Sequence, residues 1–336
     1  MGSIGSSQKP KLRMAYLPLS QWLLFLAVLN GPLGCLGDYE PTATRVASFM
    51  VIGDWGFDDV AHGNVGRHCQ GVIANRMHQE FTELGDVKFV INVGDSFYPG
   101  GVTSKDDSAW HLKWRRVYSS SVRSVPWYSV YGNHDMLYDP GACSSDEEKA
   151  AQINYDLADL DHFFMPGYSW YLQHEDLDLE ILALDLNSLW VNHTCPHTSC
   201  ESDCRVKVQE RAKAAIQLFD QRMEKSNASN LLVFSHYPTD YLWGMPEVLG
   251  NLSNGTRPGG LSRHVEYFGG HRHNVDQDST TSIYPNNNWL VGGGGGWSCD
   301  GRKQGFLVGE ILSDGSIVTR PVLVDYCSCC PCYWWR

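Results

Sequence analysis

Val87-Lys-Phe-Val-Ile-Asn-Val93 runs straight into Gly94-Asp-Ser-Phe-Tyr98. An apolar, β-branched run that ends on a glycine and a carboxylate reads as a buried strand opening into a loop. The same pattern recurs along the chain. Phe49-Met-Val-Ile52 precedes Gly53-Asp-Trp-Gly56, and the run 127–131 precedes Gly132-Asn-His-Asp135. The run 230–234 precedes Ser235-His-Tyr-Pro238, and 265–268 precedes Gly270-His-Arg-His273. Strands are therefore expected over 47–52, 87–93, 127–131, 179–184, 230–234 and 265–268. Helical patterns are expected over 65–84, 107–119, 147–157 and 204–225. In the last, Val208, Ala212, Ala215, Ile216, Phe219 and Met223 recur near helical spacing. Strand–helix alternation predicts an α/β layered fold with substantial parallel or mixed sheet. Sites in such sheets form in loops beyond the carboxyl ends of the strands, which is where all five blocks fall.

The chain has 336 residues, 43% hydrophobic and 19% charged, enough to bury a sizeable core. Its net charge is −12, with no basic block outside the extreme N-terminus, which argues against a nucleic-acid partner. If so acidic a chain acts on an anionic substrate it needs local positive charge, which bound metal ions would supply.

Lys9, Lys11 and Arg13 precede an apolar stretch from Leu17 to Leu29 that is short for a membrane span. A signal peptide over 1–37 is expected, cut after Gly37. The rival is an uncleaved signal anchor, the one expected source of stable membrane association. A single domain over 38–326 and a Cys/Trp-rich tail over 327–336 follow. Of 11 cysteines only Cys35 precedes the cut, which leaves ten, an even number. Four glycosylation sequons begin at Asn192, Asn227, Asn251 and Asn254. Together these features favour an oxidising secretory route, to the exterior or to a lysosome or vacuole. The segment 187–204, with three cysteines and a sequon, reads as a disulfide-pinned surface loop. The tail Cys327-Ser-Cys-Cys-Pro-Cys332 reads as disulfide-stapled.

Each block supplies lone-pair donors, and together they make a complete set for two metal ions. Asp95 can bridge, giving one oxygen to each ion. Asp54 is a terminal ligand of the first, and Asn133 offers a neutral carbonyl oxygen to the second. His236, His271 and His273 add imidazoles, and Tyr98 adds a phenol. Mixed carboxylate and imidazole donors suit Fe, Zn or Mn, not an all-oxygen Mg or Ca cage. Taken singly, each block has a plain alternative: Gly-Asp after a strand is often only a turn or a cap. Five in this order, each after a strand, outweigh those alternatives.

The order and content resemble the calcineurin-like metallophosphoesterases, and within them the purple acid phosphatases of the tartrate-resistant type 5 branch. Gly53-Asp-Trp-Gly56, Val93-Gly-Asp-Ser-Phe-Tyr98, Arg123-Ser-Val-Pro-Trp-Tyr128 leading to Gly132-Asn-His-Asp135, Gln152-Ile-Asn-Tyr155, His236-Tyr-Pro238 and Gly270-His-Arg-His273 carry the likeness. It spans about residues 45–324. The Asp-x-x-Tyr spacing of Asp95 and Tyr98 is the element specific to the purple enzymes. The resemblance implies a four-layer α/β sandwich of two mixed β-sheets flanked by helices. It also implies that Asp54, Asp95, Tyr98 and His273 hold Fe(III), while Asp95, Asn133, His236 and His271 hold a divalent Fe, Zn or Mn.

The implied reaction is acid phosphatase hydrolysis of phosphate monoesters, with a metal-bound hydroxide as nucleophile. His134 is expected to protonate the departing alkoxide, with Asp135 orienting its ring. The substrate would be a small phosphomonoester or a phosphoprotein, and the protein a monomer. Phosphodiester or nucleotide hydrolysis, or iron-dependent production of oxygen radicals, are the alternatives the same metal core allows. Two features depart from the family. Arg272 stands where relatives carry an acidic residue, and on an extended segment it should point opposite to the two histidines. Gly292–Gly296 is longer than the equivalent loop, and either approaches the substrate or forms a flexible turn.

Overall fold

The computed structural model describes residues 43–58, 65–142, 149–154, 162–198, 200–297 and 301–329. The expected signal segment lies outside them, as does most of the cysteine-rich tail. The strands are β1 (Arg45–Ile52), β2 (Val87–Asn92), β3 (Trp127–Ser129), β4 (Phe163–Phe164), β5 (Trp170–His174), β6 (Leu179–Ala183) and β7 (Asn230–Phe234). They continue with β8 (Thr256–Arg257), β9 (Leu261–Ser262), β10 (His264–Gly269), β11 (Val275–Asp276), β12 (Asn287–Val291), β13 (Gly305–Leu312) and β14 (Ile317–Leu323). The α-helices are α1 (Val65–Leu84), α2 (Val191–Thr194), α3 (Glu201–Lys225), α4 (Pro246–Leu252) and α5 (Tyr326–Cys329).

Two six-stranded sheets carry the fold, ordered β14-β13-β1-β2-β3-β4 and β11-β12-β10-β7-β6-β5. The inner pairs β1–β2, β2–β3, β6–β7, β7–β10 and β10–β12 are parallel, as is the edge pair β3–β4, while β14, β11 and β5 close the other three edges antiparallel. Alternation along β1 shows why the runs are apolar on both faces. Phe49 and Val51 turn into the cluster shared with Phe234 and Phe268 of the other sheet. Met50 and Ile52 turn the opposite way, onto Ile73 and Met77 of α1. On the outer side of the second sheet, Leu231 and Val233 pack on Ala215, Phe219 and Met223 of α3. Helix, sheet, sheet, helix: the expected four-layer α/β sandwich is the observed one, and parallel strands buried on both faces need such unbroken hydrophobic runs.

Two expected helices differ. In place of a helix over 107–119 there is one wide π-helical turn, Trp110–Arg115. Its buried Trp110 and Trp114 enter the core, while Lys113, also buried, donates inward to the Phe57 carbonyl at 2.8 Å and to the Tyr98 carbonyl. Of the helix expected over 147–157, the described part 149–154 is not α-helical, and 151–154 is bend and turn. There the Ala151 amide donates to the Asp139 carboxylate and Asn154 sits at φ 49°, both incompatible with a continuing helix. The segment after Asn187 is pinned by the Cys195–Cys204 disulfide, as expected, but it is wound into short helical turns, α2 among them, that lead into α3, and is not an open loop. A second disulfide, Cys69–Cys329, ties α1 to α5 across 260 residues of sequence. Among the described residues no helix is long and apolar enough to cross a membrane.

Candidate metal centre

Every expected donor lies just past the carboxyl end of a parallel strand: Asp54 after β1, Asp95 and Tyr98 after β2, Asn133 after β3, His236 after β7, His271 and His273 after β10. The loops are laced together. The Asp54 amide donates to the Gly94 carbonyl (2.9 Å), the Trp55 amide to that of Asp95 (3.1 Å) and the Gly270 amide to that of His236 (2.8 Å). Asp54, Asp95 and His271 hold left-handed backbone, at φ 57°, 50° and 69°. Such conformations cost non-glycine residues of order 1–3 kcal/mol each and gather at functional sites.

The donors form two groups that meet at Asp95. In the first, the Tyr98 phenol oxygen lies 2.9 Å from Asp54 Oδ1, 3.0 Å from Asp95 Oδ2 and 3.3 Å from His273 Nε2. In the second, His236 Nε2 lies 3.3 Å from Asp95 Oδ2, 3.1 Å from Asn133 Oδ1 and 3.2 Å from His271 Nδ1. The His236 Nδ1–H donates to the Val93 carbonyl at 3.0 Å, which turns Nε2 into this group. Asp95 does not give one oxygen to each side, as first expected. Oδ2 faces both groups, while Oδ1 accepts the His134 backbone amide at 2.8 Å.

Burial makes this arrangement costly without a cation. Asp54, Asp95, Tyr98 and His236 are each no more than 1% exposed. Burial pushes the Asp54 carboxyl up to about 7. It also opposes charge on Asp95, but the His236, His134 and His271 imidazoles outweigh it and hold that carboxyl below its usual range. Burial opposes charge on His236 too, yet the Asp95 and Asp54 carboxylates raise it to about 9. Burial and repulsion from His236 lower His271 to about 3. Burial, then Asp54 and Asp95, keep the proton on Tyr98 well past its usual value. One proton cannot serve three lone pairs converging on a point, whereas one cation serves them all. The residues present therefore fit a metal pair, with the ligand atoms of Asp95, His236 and His271 all within 4.8 Å of one another.

His134 is half-buried beside this pair, and its Nδ1–H donates to the Pro99 carbonyl at 2.7 Å. That carbonyl, not Asp135, fixes the ring. Asp135 is fully buried and accepts backbone amides from Ser96 (2.9 Å), Phe97 (3.2 Å) and Gly132 (2.9 Å). It fastens the Asp95 loop to the Asn133 loop. Gly132 must be glycine there, since a Cβ would stand 2.1 Å from Asp95 Oδ1.

Motif reading missed three features. Trp297 places its ring 4.7 Å from that of His134 and 5.1 Å from that of Tyr98. Trp190 and Tyr241 flank His271 at 5.0 and 5.1 Å. No sequence pattern marks these aromatics. The third is the packing of the glycine run, which is bonded in place and braces the site from behind, so it is not a flexible turn. Gly294 and Gly296 donate to the Gly53 and Asp54 carbonyls at 3.0 and 2.9 Å, and the run is buried. Arg272 does turn away from the ligands, onto Asp240 (3.3 Å) and the Ser279 carbonyl (3.0 Å).

Comparison with known proteins agrees with this geometry. A model of the calcineurin-like phosphoesterase family matches residues 47–275. The chain is similar to Purple acid phosphatase 3 of Arabidopsis thaliana, at 35% identity over 42% of this chain and 34% of that protein. It is similar to human Tartrate-resistant acid phosphatase type 5, at 24% identity over 68% of this chain and 66% of that protein. The match thus spans about a third of the plant relative. Its fold resembles GAP50, described as the anchor in the inner membrane complex of Plasmodium, with a TM-score of 0.54 and 19% identity over 82% of this chain and 84% of that one. With its two sheets, its strand-end donors and a family match covering most of its length, the chain belongs to the calcineurin-like phosphoesterase family.

Proposed function

We propose that the protein is an acid phosphatase that hydrolyses phosphate monoesters on a mixed Fe(III)–M(II) centre, M being Fe, Zn or Mn. The observation that carries this reading is the Tyr98 phenol facing Asp54, Asp95 and His273 at 2.9–3.3 Å. A phenolate among hard oxygen donors selects a ferric ion, and the neutral Asn133 and two imidazoles opposite select a divalent one. Asp54, Asp95, Tyr98 and His273 would hold the first, and Asp95, Asn133, His236 and His271 the second. Bound there, the pair would supply positive charge for the phosphate oxygens and a strongly acidified water.

The protein's own groups do the rest. The Pro99 carbonyl holds the His134 Nδ1–H, which makes Nε2 the ring position that exchanges protons, and the ring protonated at both nitrogens would pass the Nε2 proton to the departing oxygen. The His134 amide donates to Asp95 Oδ1, which ties the residue that carries the ring to the carboxylate that would be shared by the two ions. Trp297 shields the His134 ring from bulk water on one side. A secretory location accords with the Cys69–Cys329 and Cys195–Cys204 disulfides and with exposed sequon asparagines at Asn192, Asn227 and Asn254. The substrate is then a small phosphomonoester or a phosphoprotein side chain, met by a monomer.

The test is steady-state hydrolysis of phenyl phosphate and of diphenyl phosphate at acidic pH by the purified, metal-loaded protein. Preference for the monoester is expected. Preference for the diester would replace this reading with phosphodiesterase, and no turnover of either with both metals bound would end the enzymatic one.

A further inference from the structure

We infer that Asn187 is a positioning residue for the divalent half of the centre, tying its two ligand loops together from below. Asn187 is 1% exposed, follows the end of β6 and touches none of the expected ligands. Its Nδ2 donates to the Tyr131 carbonyl at 3.0 Å and to Asp185 Oδ1 at 2.8 Å. Its Oδ1 accepts the Tyr237 hydroxyl at 2.9 Å, and its backbone amide also reaches Asp185 Oδ1, at 3.1 Å. Tyr131 stands two residues before Asn133, and Tyr237 directly follows His236. The Tyr237 ring also packs 5.1 Å from the His236 ring and 5.0 Å from the His271 ring. One amide thus sets the spacing of three divalent-side donors, Asn133, His236 and His271. None of its contacts reaches Asp54, Tyr98 or His273.

Asp185 anchors the tie from outside. It is fully buried, and the Arg211 guanidinium lies 3.9 Å from its Oδ2 while stacking 3.5 Å over Tyr168. Asn187 therefore cannot swing away from its two clients without breaking contact with a fixed, buried carboxylate. Only an amide side chain donates to a carbonyl and a carboxylate while accepting from a phenol.

The inference rests on the two-metal reading above, and its test separates the two. The purified protein is stripped of its divalent ion and titrated with Zn(II), while the visible band and iron content report the other half. Removing partners of this kind weakens metal binding roughly 10–100-fold. Asn187→Leu should weaken zinc by that factor with iron and band retained. Tyr237→Phe, which deletes one hydroxyl and leaves the ring packing, should weaken zinc by about tenfold, the lower end of that range. It decides the matter if the first variant does not fold. Unchanged zinc affinity in the folded variants, or equal loss of zinc and iron, would overturn the assignment. A wild-type protein that takes up neither metal would overturn the two-metal reading, and this inference with it.

Discussion

Replacing Gly294 by alanine puts one methyl group where the structure has no room for it. Its Cβ would stand 2.2 Å from the Gly53 carbonyl oxygen, 2.8 Å from Trp55 Cβ and 3.1 Å from the Asp54 carbonyl oxygen. These neighbours are backbone and a fully buried tryptophan, so none can rotate away. An ordinary contact of 3.4 Å needs about 1.2 Å of retreat by the Asp54 loop, several times the roughly 0.2 Å by which metal–ligand distances vary. Overpacking of this kind costs about 1–3 kcal/mol, or a fall of roughly 2–6 °C in Tm for a domain of this size. Gly71 in α1 is the matched control, with nothing within 4 Å of its would-be Cβ. Gly71→Ala should gain about 1 kcal/mol from helix propensity alone. The assay is thermal unfolding by circular dichroism on metal-stripped protein, with the visible spectrum of the iron-loaded form beside it. Gly294→Ala should lose stability and the visible band, while Gly71→Ala keeps the band and gains stability. If Gly294→Ala matched the wild type in both, the glycine run would not be the brace of the Asp54 loop.

Other expectations follow from the same geometry. Asp135→Asn removes at least one of three backbone hydrogen bonds and should lower metal occupancy and turnover together, excess metal restoring both. A shifted pH profile at full occupancy would instead return Asp135 to the proton chemistry of His134. Tyr98→Phe should abolish the visible band while iron remains bound, as read by absorbance against iron content; persistence of the band would place its source elsewhere. Cys329→Ser opens the loop of 260 residues closed with Cys69 and should cost roughly 2–5 kcal/mol in denaturant unfolding.

Much of this was legible in the residues because strand ends and ligand chemistry are local signals. Val-Lys-Phe-Val-Ile-Asn before Gly-Asp announces both β2 and Asp95, and all seven expected donors lie in the two groups. The helix 65–84 was legible end to end. What escaped depends on contacts distant in sequence. Asp135 reads as a partner for its neighbour His134, but its acceptors serve Ser96 and Phe97, nearly forty residues back. Asn187 has no motif because its role is set by Tyr131 and Tyr237, some fifty residues away on either side. The π-turn at Trp110–Arg115 follows from Lys113 being drawn to carbonyls at Phe57 and Tyr98, which no helical periodicity encodes. The strand Gly305–Leu312 passed unread because Gly309 interrupts its apolar run, and the ring of Phe49, far away in sequence, fills the place of a side chain there.

Seven donors around a shared Asp95 Oδ2 would hold two ions of different charge. The metal-to-chain ratio of the purified protein, by elemental analysis, tests this most directly. The expected result is two ions per chain, at least one of them iron. A single ion, none, or only calcium or magnesium would contradict it.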